Sequence, residues 1–371
     1  MSAVDVLSAT SDAGVWANGA GLLPGHERIL SGSFDGSLRV WNMSSEVLAV
    51  SSGSKNPAIR SARFLSPSQI VSTGDECTVR LWKYVEDKEM SAASLTPKLD
   101  LLGHGKSVQS IAVHQPSNRI LSASADCSVG LWSTRRSDAP PAPAAKPPAN
   151  APGSKRRKLS NPDSIAQRGP LALMKAHSDC VSATVFAPHD PTVAYSSSWD
   201  HTIKTWDLAT SIVVDTRTTS ASVFSLTTLG ANLLAAGSSD KYIAIIDPRL
   251  SATTVAVMTL RGHSNSVVSL APNPESPNGL VSGSHDGTCR VWDIRSSSSD
   301  IEGKIGKSIY TISRESVKGE RKSQTGGEGV KVFDVKWDSK IGIVSASEDK
   351  RVQINQGGTS SNDIPKARVL Q

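Results

Sequence analysis

The sequence predicts an all-β protein, a seven-bladed β-propeller. Three observations carry this. A strand–turn–strand unit recurs seven times, a histidine stands at a near-fixed distance ahead of three of the turns, and no long apolar stretch has the 3.6-residue period of a helix. The clearest unit is residues 280–295, LVSGSHDGTCRVWDIR. Leu280, Val281 and Ser282 begin a β run, His285-Asp286-Gly287 is turn chemistry, and residues 288–294 alternate back into a second strand containing Trp292-Asp293.

Measured from the turn acid to the residue six positions on, four further copies align: Asp35 with Trp41, Glu76 with Trp82, Asp126 with Trp132, and Asp200 with Trp206. Two weaker copies replace the aromatic, Asp240 with Ile246 and Asp349 with Asn355. Successive turn acids lie 41, 50, 74, 40, 46 and 63 residues apart. The short steps fall in the period of about 40 to 45 residues for one blade, and the long ones mark insertions. His104 precedes Asp126 by 22 residues, while His177 precedes Asp200 and His263 precedes Asp286 by 23. Gly25-His26 lies only nine residues before Asp35, too close to leave a strand between.

At 371 residues the length alone would suggest two or three domains, but units that cannot bury their own faces point to one closed ring. Residues 2–8 alternate like an innermost strand, so the chain as read begins inside blade one. The tail after Asn355 is Gly, Ser, Asn and Pro apart from Arg368-Val369-Leu370. A truncated chain, with an incomplete and frayed closing blade, is therefore expected: propeller over 1–355, flexible tail over 356–371. Residues 84–99 read as a polar connector, with blade three starting at Leu101-Leu102-Gly103-His104. Residues 133–170 read as a disordered insertion, Pro/Ala-rich and then basic, unable to pack a core. Residues 296–329 read as a second mobile loop, in which residues 308–312 could be the outer strand of blade six.

Within the insertion stands Lys155-Arg156-Arg157-Lys158. It reads as a nuclear localisation signal, as a solvated charge run, or as an RNA-phosphate contact. The net charge of +6 is moderate and concentrated partly there. No apolar run approaches the roughly 18 residues of a membrane span, so no membrane partner is expected. The four cysteines, at 77, 127, 180 and 289, have no metal-ligand spacing, so no metal or cofactor is expected.

The many His, Ser and Asp residues invite a hydrolase reading, but they recur at the same place in several units, as a structural network does and a single active site does not. No catalytic residue is assigned. The residue just before each turn acid is expected to point from one rim of the ring: Phe34, Asp75, Ala125, Trp199, Ser239, His285 and Glu348. Aromatic residues there suit partner binding, or they pack on the neighbouring blade.

The pattern resembles WD-repeat blades. In that family the His, a second-strand Ser or Thr, the turn Asp and the Trp hydrogen-bond in series. The resemblance implies networks of His104, Asp126, Trp132; His177, Asp200, Trp206; and His263, Asp286, Trp292. The serine of each, Ser122 or Ser124 and their equivalents, stays open. More specifically, LLGHGKSVQSIAVHQPSNRILSASADCSVGLWS, YSSSWDHTIKTWDL, GLVSGSHDGTCRVWDIRS and GGEGVKVFDVKWDSKIGIVSASEDKRVQIN resemble the fungal WD-repeat ribosome-biogenesis factor of the PeBoW complex.

That resemblance implies a non-catalytic scaffold whose propeller docks on the propeller of the block-of-proliferation protein and, through it, joins pescadillo. It implies a place in nucleolar and nucleoplasmic large-subunit pre-ribosomes, supporting maturation of large-subunit and 5.8S rRNA and formation of the 60S subunit. It also implies an N-terminal ubiquitin-like domain gripped by a midasin-type AAA ATPase, and a chain without one should bind its partner yet resist removal. A second resemblance competes. Trp292-Asp293-Ile294-Arg295 is similar to the docking motif of substrate receptors for cullin ubiquitin ligases, although Trp-Asp is also the ordinary end of a blade.

Overall fold

The computed structural model describes residues 1–7, 27–51, 57–87, 92–143, 165–253, 256–300, 303–313, 330–355 and 368–370. These form strands and turns with no helix, arranged as seven antiparallel blades. From the axis outward, blade one is Ala3–Leu7, Arg28–Gly32, Leu38–Trp41 and Val47–Val50. Blade two is Ile59–Ser66, Gln69–Gly74, Thr78–Asp87 and Ala92–Leu102, and blade three is Val108–His114, Arg119–Ser124, Ser128–Ser133 and Ala172–Lys175. Blade four is Val181–Phe186, Val193–Ser198, Thr202–Asp207 and Ile212–Thr218; blade five is Val223–Leu229, Leu233–Ser238, Ile243–Ile246 and Met258–Leu260. Blade six is Val267–Pro272, Gly279–Ser284, Thr288–Asp300 and Gly303–Ser313, and blade seven is Val332–Asp338, Gly342–Ser347, Val352–Asn355 and Arg368–Leu370. Each innermost strand neighbours the next around the axis, and that of blade seven returns to that of blade one.

The turns show why one short sequence signal can repeat seven times. The residue after every turn acid has a left-handed backbone: Gly36, Cys77, Cys127, His201, Lys241, Gly287 and Lys350, with φ between 60° and 82°. In five of the seven turns the carboxylate makes the bend tolerable by accepting the amide two residues on, as Asp35 does from Ser37 at 2.8 Å and Asp349 from Arg351 at 3.0 Å. The two copies without tryptophan share this turn, so they are blades of the same kind.

The core is divided among the seams between blades. Trp41 packs with Ile341, Val344 and Ile354 of blade seven; Trp132 with Val71, Val79 and Leu81 of blade two; Trp206 with Leu121 and Leu131 of blade three; Trp292 with Ile243 and Ile245 of blade five. Each repeat tryptophan thus lies against the preceding blade. Ile246 takes the same place against blade four. Burying a repeat tryptophan at five of the seams, and Ile246 at a sixth, supplies apolar area that no four-stranded sheet can supply alone.

Closure uses the same packing, reinforced by polar groups around the axis. Among the described residues no strand is exchanged between the first blade and the last. The Met1 amino group donates to Ser347 O at 2.8 Å, and Val4 N–H donates to Asp334 Oδ2 at 3.0 Å. Asp334 also accepts the Ser269 hydroxyl at 2.8 Å and pairs with Arg63 at 3.4 Å, so one carboxylate joins blades one, two, six and seven. Arg63 donates further to Val4 O at 2.9 Å, and Lys336 reaches Asp5 at 3.6 Å.

Several boundaries differ from expectation, for one reason: outer strands are specified by pairing rather than by local pattern. Residues 84–99 are not a connector. Thr78–Asp87 and Ala92–Leu102 form a continuous hairpin, and Leu101-Leu102 ends blade two rather than starting blade three. The insertion is ordered at both ends. Ala166–Arg168 adds to blade two as a fifth strand, parallel to its outer one, and Pro141 bridges Arg168. The loop expected at 296–329 is in part a hairpin of blade six, whose outer strand Gly303–Ser313 also pairs in parallel with Met258–Leu260 of blade five. The closing blade has four strands, the last only three residues long, so its expected incompleteness reduces to a short outer strand drawn from the tail. Gly25-His26 and the Lys155–Lys158 run lie outside the described residues.

Candidate interaction rim and the polar networks behind it

Three blades contain the full polar series. In blade three, Trp132 Nε1–H donates to Ser122 Oγ at 2.7 Å, Ser122 meets His104 Nε2 at 2.6 Å, and His104 Nδ1 meets Asp126 at 3.2 Å. In blade four, Trp206–Ser196, Ser196–His177 and His177–Asp200 measure 2.7, 2.7 and 2.9 Å. In blade six, Trp292–Ser282, Ser282–His263 and His263–Asp286 measure 2.8, 2.7 and 2.8 Å. The serine choice is thereby decided. Ser122 carries the series, while Ser124 donates to Lys106 O and Ser107 O and accepts Asp126 N–H.

One proton arrangement satisfies every member: Trp N–H to Ser, Ser O–H to His Nε2, and His Nδ1–H to Asp. It resembles a nucleophile–base–acid relay in outline, yet each serine is 0 % exposed and accepts the indole N–H. A substrate carbonyl has no path to that oxygen. The carboxylates are held ionised. For Asp200, burial alone would raise the pKa, but hydrogen bonds from Thr202, Ser178 N–H and His177 outweigh it and bring the carboxyl to about 2. Asp126 and Asp286 are depressed further by the same balance, and burial lowers His177, keeping its ring neutral.

The other blades keep only part of this. Trp41 donates to Ser31 and Trp82 to Ser72, both at 2.8 Å, with no histidine behind them among the described residues. Blade two substitutes an ion pair that sequence reading missed. Arg80 grips Asp100 of the outer strand at 2.7 and 3.1 Å, pairs with Glu76 at 3.0 Å, and stands 5.7 Å over the Trp82 ring. The signal was present in alternation: Arg80 and Asp100 face each other only once the strands are paired.

The residues before the turn acids share one rim. The amides of Asp75, Ala125, Trp199, Ser239, His285 and Glu348 donate to carbonyls of Ala58, Ser107, Cys180, Ser222, Ser266 and Lys331, the same link in six blades. Phe34 remains 48 % exposed and Trp199 44 % exposed. Both also pack across a seam. Phe34 of blade one and His285 of blade six meet the Phe333 ring edge-on at 5.3 and 5.8 Å, and Trp199 meets Phe224 of blade five at 5.9 Å. Asp75 instead pairs with Arg60 at 2.6 Å, and Glu348 is exposed.

Phe224 and Phe333 were not singled out from sequence. Each follows the first residue of an innermost strand, at a register shift that turns its side chain toward the rim. Two apolar residues in a row at that point, Val223-Phe224 and Val332-Phe333, break the alternation and are the signal that could have found them. At the opposite end of a blade, Trp292 is buried while Arg295 is exposed and closes on Asp293 at 2.6 Å.

Comparison with known proteins agrees with this architecture. The model described as "WD domain, G-beta repeat" matches residues 4–42, 95–133, 168–207 and 254–293. "Ribosome biogenesis protein ytm1" of Aspergillus clavatus is 56 % identical over 366 residues, covering 96 % of this chain and 75 % of the relative. The protein so named in Aspergillus terreus is 57 % identical over the same length, and that of Ajellomyces capsulatus 56 % over 363 residues. Among solved structures, the WD40 β-propeller domain of Doa1 superposes with a TM-score of 0.65 at 17 % identity, covering 96 % of this chain and 93 % of that one, a likeness of fold alone.

Proposed function

Since this chain belongs to the Ytm1 family of WD-repeat ribosome biogenesis proteins, we propose that it works there as a non-catalytic scaffold whose aromatic rim docks a protein partner. The observation that carries the reading is the pair of half-exposed aromatics, Phe34 and Trp199, each fixed by an edge-on ring from a neighbouring blade. A fixed aromatic loses little entropy on binding, which is why such residues dominate interface energetics. The histidine networks lie behind this rim and hold its turns.

The partner proposed is the propeller of the block-of-proliferation protein and, through it, pescadillo. The assembly is the large-subunit pre-ribosome, the task maturation of large-subunit and 5.8S rRNA, and the compartment the nucleolus and nucleoplasm. The midasin-type ATPase enters this proposal only through a ubiquitin-like domain. Of the three readings of residues 155–158, nuclear import fits this compartment best.

Affinity purification of the tagged chain from nuclear extract tests the proposal, with mass spectrometry of partners and northern blotting of bound RNA. Recovery of both proteins with large-subunit rRNA precursors, and their loss with Phe34→Ala combined with Trp199→Ala, is the expected result. Cullin-ligase components without rRNA precursors, lost on Arg295→Ala, would instead favour the Trp292–Arg295 motif.

A further inference from the structure

The outer wall of the ring is not uniform. Blade two has an extra parallel strand on its outer edge, and the outer strands of blades five and six pair with each other. Blade four differs. Its outer strand, Ile212–Thr218, pairs only with Thr202–Asp207, so among the described residues its far edge is open. On that edge stand Ile212 and Val214, 62 % and 68 % exposed, more than any other large apolar side chain among the described residues. A register shift opposite Thr205 and Trp206 leaves Val214 without a cross-strand partner. A bulge is one way of guarding an edge, but guarded edges also carry lysine or proline, and residues 212–216 hold neither.

Charge narrows what could cover this edge. Asp207 is the cross-strand partner of Ile212, and Asp190 lies within electrostatic reach of it. Both carboxylates accept only hydroxyl and amide hydrogens, from Thr210 and Ala209 in one case and Thr192 in the other. Neither has a cation within ion-pair distance among the described residues, and both are held below the ordinary carboxylate range by those hydrogen bonds. Asp215 beside them is committed to Arg217 at 3.2 Å.

We propose that the outer edge of blade four takes an extended protein segment as a fifth strand, with apolar residues against Ile212 and Val214 and lysine or arginine two positions from them on the Ile212 face, reaching toward Asp190 and Asp207. Backbone pairing supplies the affinity and the alternating side chains the selectivity, as in other strand additions. The molecule already builds this arrangement once, where Ala166–Arg168 joins the outer strand of blade two. The site stands apart from the aromatic rim and does not depend on it.

The test places a photo-crosslinking amino acid at position 212 of the full chain. The chain replaces the resident protein in fungal cells, which are irradiated before lysis, and the joined peptides are sequenced. Position 50, on the open edge of blade one, serves as comparison. A single partner segment of alternating apolar and basic residues, at ten or more times the yield from position 50, is the expected result. Asp207→Lys should lower that yield at least fivefold with the far-ultraviolet spectrum unchanged. Because Asp207 also closes a turn, Val214→Lys repeats the test with a residue that closes none. Products joined to RNA, to a second copy of this chain or to segments lacking that alternation would overturn the proposal, as would a yield no higher than from position 50 or unmoved by both substitutions.

Discussion

Replacing Asp286 by alanine should unfold the ring far more readily than the equivalent change in blade one. The Asp286 carboxylate, 5 % exposed, receives four donors: His263 Nδ1–H at 2.8 Å, Ser264 N–H at 3.0 Å, Thr288 N–H at 2.9 Å and the Thr288 hydroxyl at 2.7 Å. Without it the hydroxyl can rotate away, and the partly exposed Ser264 amide can reach water. The His263 ring and the Thr288 amide cannot. Two stranded donors at about 1–3 kcal/mol each give a loss of about 2–6 kcal/mol. Asp35 occupies the same turn with a side chain 57 % exposed and, among the described residues, bonds mainly to Ser37 and to no histidine, so Asp35→Ala should cost about 0.5–1 kcal/mol. Urea titrations followed by tryptophan fluorescence and far-ultraviolet dichroism measure both. His263→Ala combined with Asp286→Ala should cost less than the sum of the single changes, because each change strands the other's partner. Equal losses for Asp286→Ala and Asp35→Ala would refute the claim that the histidine networks hold the turns.

Four further outcomes follow from the same geometry. Acid should destabilise blade four in two windows: His177, lowered by burial, withdraws its contribution as pH falls below about 6.5, and Asp200, lowered to about 2, withdraws about 2 kcal/mol between about pH 4 and 2; hydrogen exchange of blade-four amides across pH reads both. Asp334→Ala removes the carboxylate shared by four blades and strands the Val4 amide and Arg63, so it should cost about 3–5 kcal/mol and expose the seam between blades seven and one to protease. Lys350→Gly relieves a left-handed backbone at φ 63° and should raise the unfolding free energy from urea titration by about 0.5–1 kcal/mol, whereas Lys340→Gly nearby should not. Phe333→Ala removes the ring that orients both Phe34 and His285, and should weaken partner binding tenfold or more in titration calorimetry while Glu348→Ala changes it little.

How far the rim could be read in advance depended on which residues act locally. Trp199 and Phe34 are placed by the turn that follows them, and the turn has a signature of its own. Phe333 and Phe224 are placed by a register shift at the start of an innermost strand, so their only local mark is the break in alternation at Val332-Phe333 and Val223-Phe224, and which rim ring each meets depends on the neighbouring blade. The same division separates the His104, His177 and His263 networks, whose members keep near-constant spacing, from Arg80 and Asp100, which replace such a network at a spacing found in no other blade.

The sequence by itself determined the number of blades, the seven turns and the composition of three networks, because each depends on chemistry contained within one repeat: a carboxylate closing a tight turn, a left-handed residue after it, and a tryptophan six positions on. Tertiary structure alone decided which serine joins each network, where the outer strands end, how the first and last blades close on each other, and which edges of the wall stay open. Those outcomes depend on pairing between segments far apart in the chain, where the free energy comes from the partner strand and the burial it brings, and no local pattern encodes the partner.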